Sequence, residues 1–330
     1  MRKFIQTIQN IWKIEDLRQR LLTTLLFVLI YRFGSFVVLP GIDPTALTAL
    51  QAQTAGGLMA LLDMFSGGAF SNASIFALGI MPYISASIVI QLLTIAVPYF
   101  QKMQKEGESG RQKMNQITRY LTVAILLFQG PSYLVNLSVQ MAQAGQAISV
   151  GFNWFTISST ILLCAGSMFV MWLGERITDR GIGNGISFII LIGIIARFPA
   201  AIIQEFSSRL NEGGGLMVFI LEIIILLFVF AFAILLVQGT RRIPVQYAKR
   251  MVGNKQYGGV RQYIPLKVNA ANVMPIIFAQ AIMFIPIALA GFSASESASA
   301  FTRAFMDNDG FWYNAVFAIL IIVFTYFYTA

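Results

Sequence analysis

SIFALGIMPYISASIVIQLL, Ser74 to Leu93, is the stretch on which the reading of the whole chain turns. At about 1.5 Å per helical residue, roughly 20 such residues reach across the hydrocarbon core of a bilayer. Gly79 and Pro82 stand near its middle, and serines and Gln91 follow. Breakers and small polar groups at membrane depth are tolerated where a helix lines a cavity or packs on other helices. The stretch therefore reads as a path-lining helix, and the rest of the chain as its scaffold. Just before it lies the glycine-bounded segment GGLMALLDMFSGG, Gly56 to Gly68, apolar but too short to span. Asp63 within it argues against simple lipid exposure. A re-entrant helix hinged on glycines and an amphipathic helix on the outer surface both fit these residues.

Composition sets the class. The 330 residues are 57% hydrophobic and 11% charged, with a mean hydropathy of +0.73. A soluble domain carries about 25% charged residues, so this is a polytopic membrane protein. There is no histidine, which excludes His-based metal sites, His general bases and HExxH proteolysis. Cys164 is the single cysteine and lies in an apolar run, so it reads as a packing residue without a disulfide or zinc framework. No paired catalytic acids or nucleophile–base set is present, so neither an enzyme nor a cofactor is expected. Residues 1–20 are amphipathic and basic without an apolar h-region, and read as a cytosolic segment rather than a removable signal.

Eight apolar spans are expected, at about 21–39, 73–98, 120–138, 154–174, 182–203, 216–237, 271–291 and 312–330. With the amino terminus in the cytosol, the segments 1–20, 99–119, 175–181 and 238–270 face inward. They hold nineteen of the 23 Lys and Arg residues, and the positive-inside rule then fixes the orientation. The 101–119 loop reads as polar and flexible. The 238–270 segment has seven basic and no acidic residues, with Tyr247, Tyr257 and Tyr263 among them. Gly258–Gly259 between aromatic and β-branched residues suggests a hairpin projecting into the cytosol. Its charge fits RNA phosphate or an acidic protein surface, or an orientation signal beside anionic lipid. Within the spans, Arg32 and Arg197 lie near outer ends and can snorkel. Glu222, about two turns into the sixth span, suggests a pairing with Arg197 or an interfacial placement.

Isoleucines flank the breakers. Ile80 and Ile84 share a helix face across Pro82, Ile186 and Ile190 repeat the spacing after GIGNG, and Ile277 follows Pro275. Apolar side chains of this kind can seal a pore by packing and dewetting; their convergence is not given by composition.

At this point the chain resembles the SecY/Sec61-alpha family of protein-conducting channel subunits. SIFALGIMPYISASIVIQLL (74–93) resembles the family's second-span motif, and WLGERITDRGIGNGISFII (172–190) its passage from the fourth span into the fifth. KEGESGRQK (105–113), TRRIPVQYAKR (240–250) and IPLKVNAANVMPIIFA (264–279) are similar to further segments in the family's order. The likeness runs along the whole chain.

The resemblance implies an all-α, hourglass-shaped channel of ten helices in two inverted, pseudo-symmetric halves of five. The eight spans read here cover the first half, 21–203, and spans 6 to 8 of the second, 204–330, with the basic hairpin at 238–270. Carried over residue by residue, it implies a pore ring of Ile80, Ile84, Ile186, Ile190 and Ile277. It implies a plug from about 58 to 70, including Leu58, Met59, Leu61, Leu62, Met64 and Phe65. A lateral gate between spans 2 and 3 and spans 7 and 8 would involve Gln91, Pro82 and Ser87. Arg241, Arg242, Lys249 and Arg250 would meet cytosolic partners. The partners implied are the SecE and SecG subunits, the SecA motor ATPase, the ribosome, signal sequences and nascent polypeptides, and membrane lipids. The location implied is the bacterial cytoplasmic membrane. A small-solute secondary transporter is the alternative, since discontinuous helices suit it equally. It would need convergent polar groups at mid-depth, where the spans offer little beyond Gln91, Asn184 and serines.

Overall fold

Helix boundaries follow the charges and the breakers rather than the apolar runs alone. In the computed structural model of the chain, residues 12–42, 63, 66–143, 152–212, 215–246, 250–252, 255–257, 261–271, 274–276, 278–280, 282–283 and 310–329 are described. The first expected span is helix α1, Glu15–Gly34, shifted toward the amino terminus from 21–39. Glu15 and Asp16 occupy its first turn, where acids favour the positive end of the helix dipole. They also pair with Arg18 at 3.9 Å and Arg20 at 3.4 Å, which extends the helix into polar sequence. Beyond Gly34 the backbone turns, and Val38 forms a bridge with Ser74. Leu39 N–H donates to Ala73 O (2.9 Å) and Ile75 N–H to Val37 O (3.0 Å).

The decisive stretch is not helical throughout. Residues 75–80 are turns, and helix α2 runs only over Met81–Ala96. Gly79 has φ +53°, a left-handed backbone that glycine adopts without a Cβ clash. Pro82 stands in the first turn of α2, where its missing N–H and fixed φ are harmless. The expected mid-helix break is therefore a helix start. Pro98 opens a second short helix, α3 (Pro98–Lys105), after Val97 turns extended.

The inner loop expected to be flexible is also helical. After α3 and a turn at Glu106–Gly107, helix α4 covers Glu108–Gln143. Met103 is buried, and Gly110 lies so near that a Cβ there would be 1.7 Å from Met103 O. Lys113 Nζ meets Glu106 at 3.5 Å. The amphipathic spacing of this segment holds α3 on α4.

Helices α5 (Phe152–Arg180), α6 (Gly185–Glu212), α7 (Gly215–Gln238) and α8 (Phe311–Thr329) contain the fourth, fifth, sixth and eighth expected spans. Among the described residues, α4 to α8 are each long and apolar enough to cross a membrane; α2 and α3 add a sixth if counted as one bent span. The chain is a multi-pass membrane protein. Helix α7 buries none of its residues, and an all-round apolar surface of this kind suits lipid. Of the expected seventh span, only 274–276, 278–280 and 282–283 are described, as helical pieces; the remainder, Ile277 included, lies outside the described residues.

The chain divides into two compact units, Met1–Pro199 with Gln280–Val316, and Ala200–Ala279 with Phe317–Ala330. In the first unit one apolar cluster joins Leu39, Phe70 and Leu78 to Leu126, Leu134 and Leu163. Cys164 packs against it. A second cluster joins Tyr31, Phe76 and Ile80 to Leu173, Ile177 and Ile189. In the second unit Phe278 packs on Phe324 and Tyr328, with ring centroids 5.4 and 5.2 Å away.

The second unit also carries the basic hairpin. Strand β1 (Thr240–Gln246) pairs antiparallel with β4 (Arg261–Lys267), and β2 (Arg250–Val252) with β3 (Lys255–Tyr257). Val252 faces Lys255, so the β2–β3 ribbon reverses between them rather than at the expected Gly258–Gly259; residues 253–254 lie outside the described residues. Residues 258–260 lie outside the described residues. Pro244 and Pro265 are tolerated because each strand of a two-stranded ribbon has an open edge.

Candidate functional site

Two helix starts supply the apolar side chains of one cluster. On the first, Ile80 precedes α2 and Ile84 N–H donates to Ile80 O at 3.1 Å, so the two stand one turn apart. On the second, Asn184 Oδ1 accepts the N–H groups of Ile186 (3.1 Å) and Ser187 (3.3 Å). That arrangement satisfies orphan donors at the start of α6, and it sets Ile186 and Ile190 one turn apart. Thr178 Oγ1 accepts Gly185 N–H at 2.8 Å, tying the end of α5 to the same start.

Four of the five expected ring residues meet in one cluster. Ile80 is buried there, and Ile84, Ile186 and Ile190 pack against it half-buried. Stacked rings brace it from one side, Tyr31 on Phe76 (6.1 Å) and Phe76 on Phe169 (5.9 Å). Ile277 lies outside the described residues.

Beside this cluster Asp63 and residues 66–74 are held by four side chains, Tyr31 and Tyr133, which sequence reasoning left without a role, and Arg32 and Arg197, which it placed near the outer ends. Tyr31 O–H donates to Ser66 O (3.1 Å), Arg32 to Gly67 O (2.8 Å), and Tyr133 O–H to Phe70 O (2.8 Å). Arg197 reaches Asp63 Oδ2 at 2.5 Å and Ser71 Oγ at 2.8 Å. Asp63 is 2% exposed and also accepts Ser71 N–H at 2.8 Å. The carboxylate is thus compensated rather than lipid-facing. The expected plug residues Leu58, Met59, Leu61, Leu62, Met64 and Phe65 lie outside the described residues.

The intramembrane ion pairs correct one expectation. Arg197 pairs with Asp63, and Glu222 pairs instead with Arg209, Nη2 to Oε1 at 2.6 Å. Arg209 Nε also meets Glu205 at 2.8 Å. Arg209 lies in the last turn of α6 and Glu222 two turns into α7, and consecutive helices bring them together. The available signal was that shortness of connection, which favours Arg209 over a residue a further twelve positions back.

At the expected gate, Pro82 is buried while Ser87 and Gln91 are half-buried. Gln91 Nε2 donates to Ser87 Oγ at 3.3 Å, a bond within α2. On the hairpin, Arg241 and Arg242 are exposed and adjacent in β1, so they point to opposite faces of the ribbon. Pairing places Arg242 opposite Pro265 and Arg241 opposite Leu266. Lys249 lies outside the described residues, and Arg250 begins β2.

The chain is similar to known proteins in sequence and in fold. The protein translocase subunit SecY of Streptomyces scabiei is 42% identical over 328 residues, covering 97% of this chain and 75% of its own. That of Rickettsia conorii is 42% identical over 319 residues, covering 96% and 73%. Among solved structures, one described as a protein conducting channel superposes with a TM-score of 0.59 at 17% identity, covering 93% of this chain and 69% of its own. A second, reported for a plug domain that stabilises the closed state of the SecY channel and maintains a membrane seal, gives 0.57 at 18%, with the same coverage. Sec61 from the canine ribosome–channel complex gives 0.56 at 16%, again over 93% and 69%. At such identities the superpositions speak to fold alone. The SecY family profile matches residues 74–330, and together with the 42% identity to translocase subunits this places the chain in the SecY family.

Proposed function

We propose that this chain forms the polypeptide path of a protein translocase, moving unfolded secretory chains across the membrane and releasing apolar helices sideways into lipid. The observation that carries the reading is the apolar cluster that brings Ile80, Ile84, Ile186 and Ile190 together from two helix starts. A translocating chain varies in sequence and must pass without an ion leak. A soft apolar constriction offers no binding well to any one side chain and excludes water when closed. Ile277 completes the ring in this reading.

The segment 58–70 acts as the plug, and the tethered residues Asp63 to Ser74 are its carboxyl-terminal attachment. Gln91, Ser87 and Pro82 belong to a lateral gate through which a signal helix partitions into lipid. The two halves, 21–203 and 204–330, move relative to each other as that gate opens. Arg241, Arg242, Lys249 and Arg250 dock anionic partners, the ribosome and the SecA motor ATPase. SecE and SecG are the accompanying subunits. The orientation with a cytosolic amino terminus in a bacterial cytoplasmic membrane follows from the inward bias of Lys and Arg. The chain works as a conduit, with chemistry supplied by its partners.

The test is a disulfide crosslink in the assembled translocase. Cys164 is replaced by Ser, a single cysteine is placed at Ile84, and a secretory chain bearing one cysteine is arrested part-way across. A disulfide between them puts Ile84 in the path. Reaction at Val89, which is 37% exposed, with none at Ile84 would sink the ring assignment.

A further inference from the structure

The end of α5 and the start of α6 approach so closely that neither backbone leaves room for a side chain between them. Gly174 O occupies the place a Cβ on Gly185 would take, and a Cβ on Gly174 would meet Ile186 Cγ1 at 3.1 Å and Ile189 Cδ1 at 3.5 Å. The Thr178 hydroxyl, one turn on from Gly174, donates to Gly174 O (2.9 Å) and accepts the Gly185 N–H (2.8 Å). The last two turns of α5 are thus the bed on which Ile186 lies. Close-packed backbones transmit displacement, so a shift of that bed carries Ile186 with it.

Gly174 is followed at once by Glu175, whose carboxylate reaches across to α4. Arg119 Nη2 donates to Glu175 Oε2 at 2.6 Å, a short, charge-assisted bond. The neighbouring cation, Arg176, lies instead over the Trp172 ring, 5.5 Å from its centroid. Further along, α4 and α5 meet through apolar side chains: Leu126, Leu134 and Leu137 share one cluster with Phe155 and Leu163. That seam joins the two helices without the ion pair. What the pair adds is a fixed point at the inner end of the seam, beside Ile186. Helix α4 runs unbroken from Glu108, and α3 packs on its first turns through Met103 and Gly110. The fixed point therefore ties the bed of Ile186 to the α3–α4 hairpin, and all of these residues belong to the first unit.

We infer that Arg119, through Glu175, is a positioning residue for the apolar cluster: it holds the end of α5, and with it Ile186, in place against α4. This rests on reading Ile80, Ile84, Ile186 and Ile190 as the lining of the polypeptide path. The side chains are 45% and 28% exposed, so the pair supplies a bias rather than a lock. When it parts, the inner end of α5 shifts and Ile186 spends more time outside the cluster, while the apolar seam stays closed. Removing either partner removes the same bias, and removing both adds nothing further.

The experiment labels single cysteines with a water-soluble maleimide in the complete resting translocase. One series carries Ile186→Cys with Cys164→Ser, and the other keeps Cys164 as the only thiol of this chain. Each series compares Arg119→Gln, Glu175→Gln and the double variant with the chain unaltered at those two positions. Each single variant is expected to speed labelling at Ile186→Cys about threefold, the size of effect a part-exposed ion pair supplies, and the double variant to match the singles. Cys164 packs against the apolar seam, and its labelling rate is expected to stay the same. Unchanged labelling at Ile186→Cys in the single variants overturns the inference. A parallel rise at Cys164 also overturns it, because the whole unit has then loosened. So do single effects that multiply in the double variant, because independent effects are not a shared contact. The path reading is tested apart, by disulfide formation between Ile186→Cys and a cysteine in a secretory chain arrested part-way across, with Arg119 and Glu175 intact. A crosslink beside unchanged maleimide labelling leaves the path standing and removes Arg119 from its support. Absence of the crosslink takes Ile186 out of the path, and this inference falls with it.

Discussion

Gly166 in α5 is a position where a single methyl group should cost the first unit stability. An ideal Cβ on it would lie 2.2 Å from Ile75 O and 2.8 Å from Ile75 Cγ2. Ordinary contact begins at 3.4 Å, so Gly166→Ala forces a separation of about 1.2 Å between α5 and the backbone just before Ile80. The obstacle is a carbonyl in a bridged segment and cannot rotate away. Overpacking of this kind costs up to about 3 kcal/mol. The better helix propensity of alanine offsets about 1 kcal/mol of that. A net loss of about 2 kcal/mol corresponds to a melting temperature lowered by roughly 4–8 °C for a unit of this size. Gly130→Ala in α4 is the matched control. Its Cβ would meet Thr160 Cγ2 at 3.0 Å, a side-chain methyl that can shift, so penalty and propensity nearly cancel and Tm stays within about 2 °C. The assay uses Cys164, half-buried in α5 against the first apolar cluster, as the sole thiol for a dye that fluoresces on reaction. Melting of Gly166→Ala at or above the wild-type temperature would show that the close approach of α5 to Ile75 carries no weight.

Three further outcomes are expected. Tyr133→Phe removes the donor to Phe70 O but leaves that carbonyl the Ala73 N–H at 3.2 Å, so the loss is about 1 kcal/mol and Tm falls by roughly 2–4 °C; a drop twice as large would mean the hydroxyl does more than that bond. Gln91→Leu removes a polar pair worth about 0.6–2 kcal/mol at membrane depth, and is expected to relax signal-sequence selectivity in a secretion assay; unchanged selectivity counts against the gate. Arg241→Glu with Arg242→Glu should weaken ribosome binding by the translocase and flatten its dependence on salt, by about 0.7 to 0.9 in log–log slope for each phosphate no longer neutralised. Equal slopes for the wild type and the variant would remove the hairpin from the RNA interface.

The long helices were legible because lipid leaves them few alternatives: α4 to α8 each overlap an expected apolar run, although α4 starts well before 120 and α6 runs well past 203. What hydropathy does not encode is where a helix starts inside an apolar run. The stretch 73–98 reads as one span, yet Gly79 and Pro82 together set a start at Met81, since one supplies a left-handed turn and the other a preformed first turn. The inner segment 99–119 reads as loop because it is polar, although Met103 and Gly110 pack α3 on α4. For the site, i,i+4 spacing in sequence is enough to place Ile80 with Ile84 and Ile186 with Ile190. That the two pairs join one cluster depends on tertiary packing and is absent from local sequence. The roles of Tyr31, Arg32 and Tyr133 were invisible for the same reason, since each donates to a backbone carbonyl, which any residue supplies.

The two intramembrane carboxylates make the sharpest case for reading charges in pairs. An isolated acid at membrane depth is costly enough that a partner is nearly obligatory, so Asp63 and Glu222 each predict a cation nearby. Two arginines on α6 answer them, Arg197 for Asp63 and Arg209 for Glu222. The helix passes from the first unit to the second between these arginines, at Pro199 and Ala200, so each unit closes its own pair. The surroundings differ in a way that separates their roles. Glu222 and Arg209 sit on consecutive helices joined by a short connection, and are 33% and 38% exposed, which marks a brace between neighbours. Asp63 is buried and accepts the Ser71 N–H in the turn-rich run 67–80, so its pair restrains a part of the chain that helix packing alone does not. A brace can be removed with a modest effect on stability, whereas the loss of a restraint shows in what the segment does. Asp63→Asn is therefore expected to raise ion leak through the resting translocase while Glu222→Gln leaves it at the wild-type level, and equal leak from both variants would erase the distinction.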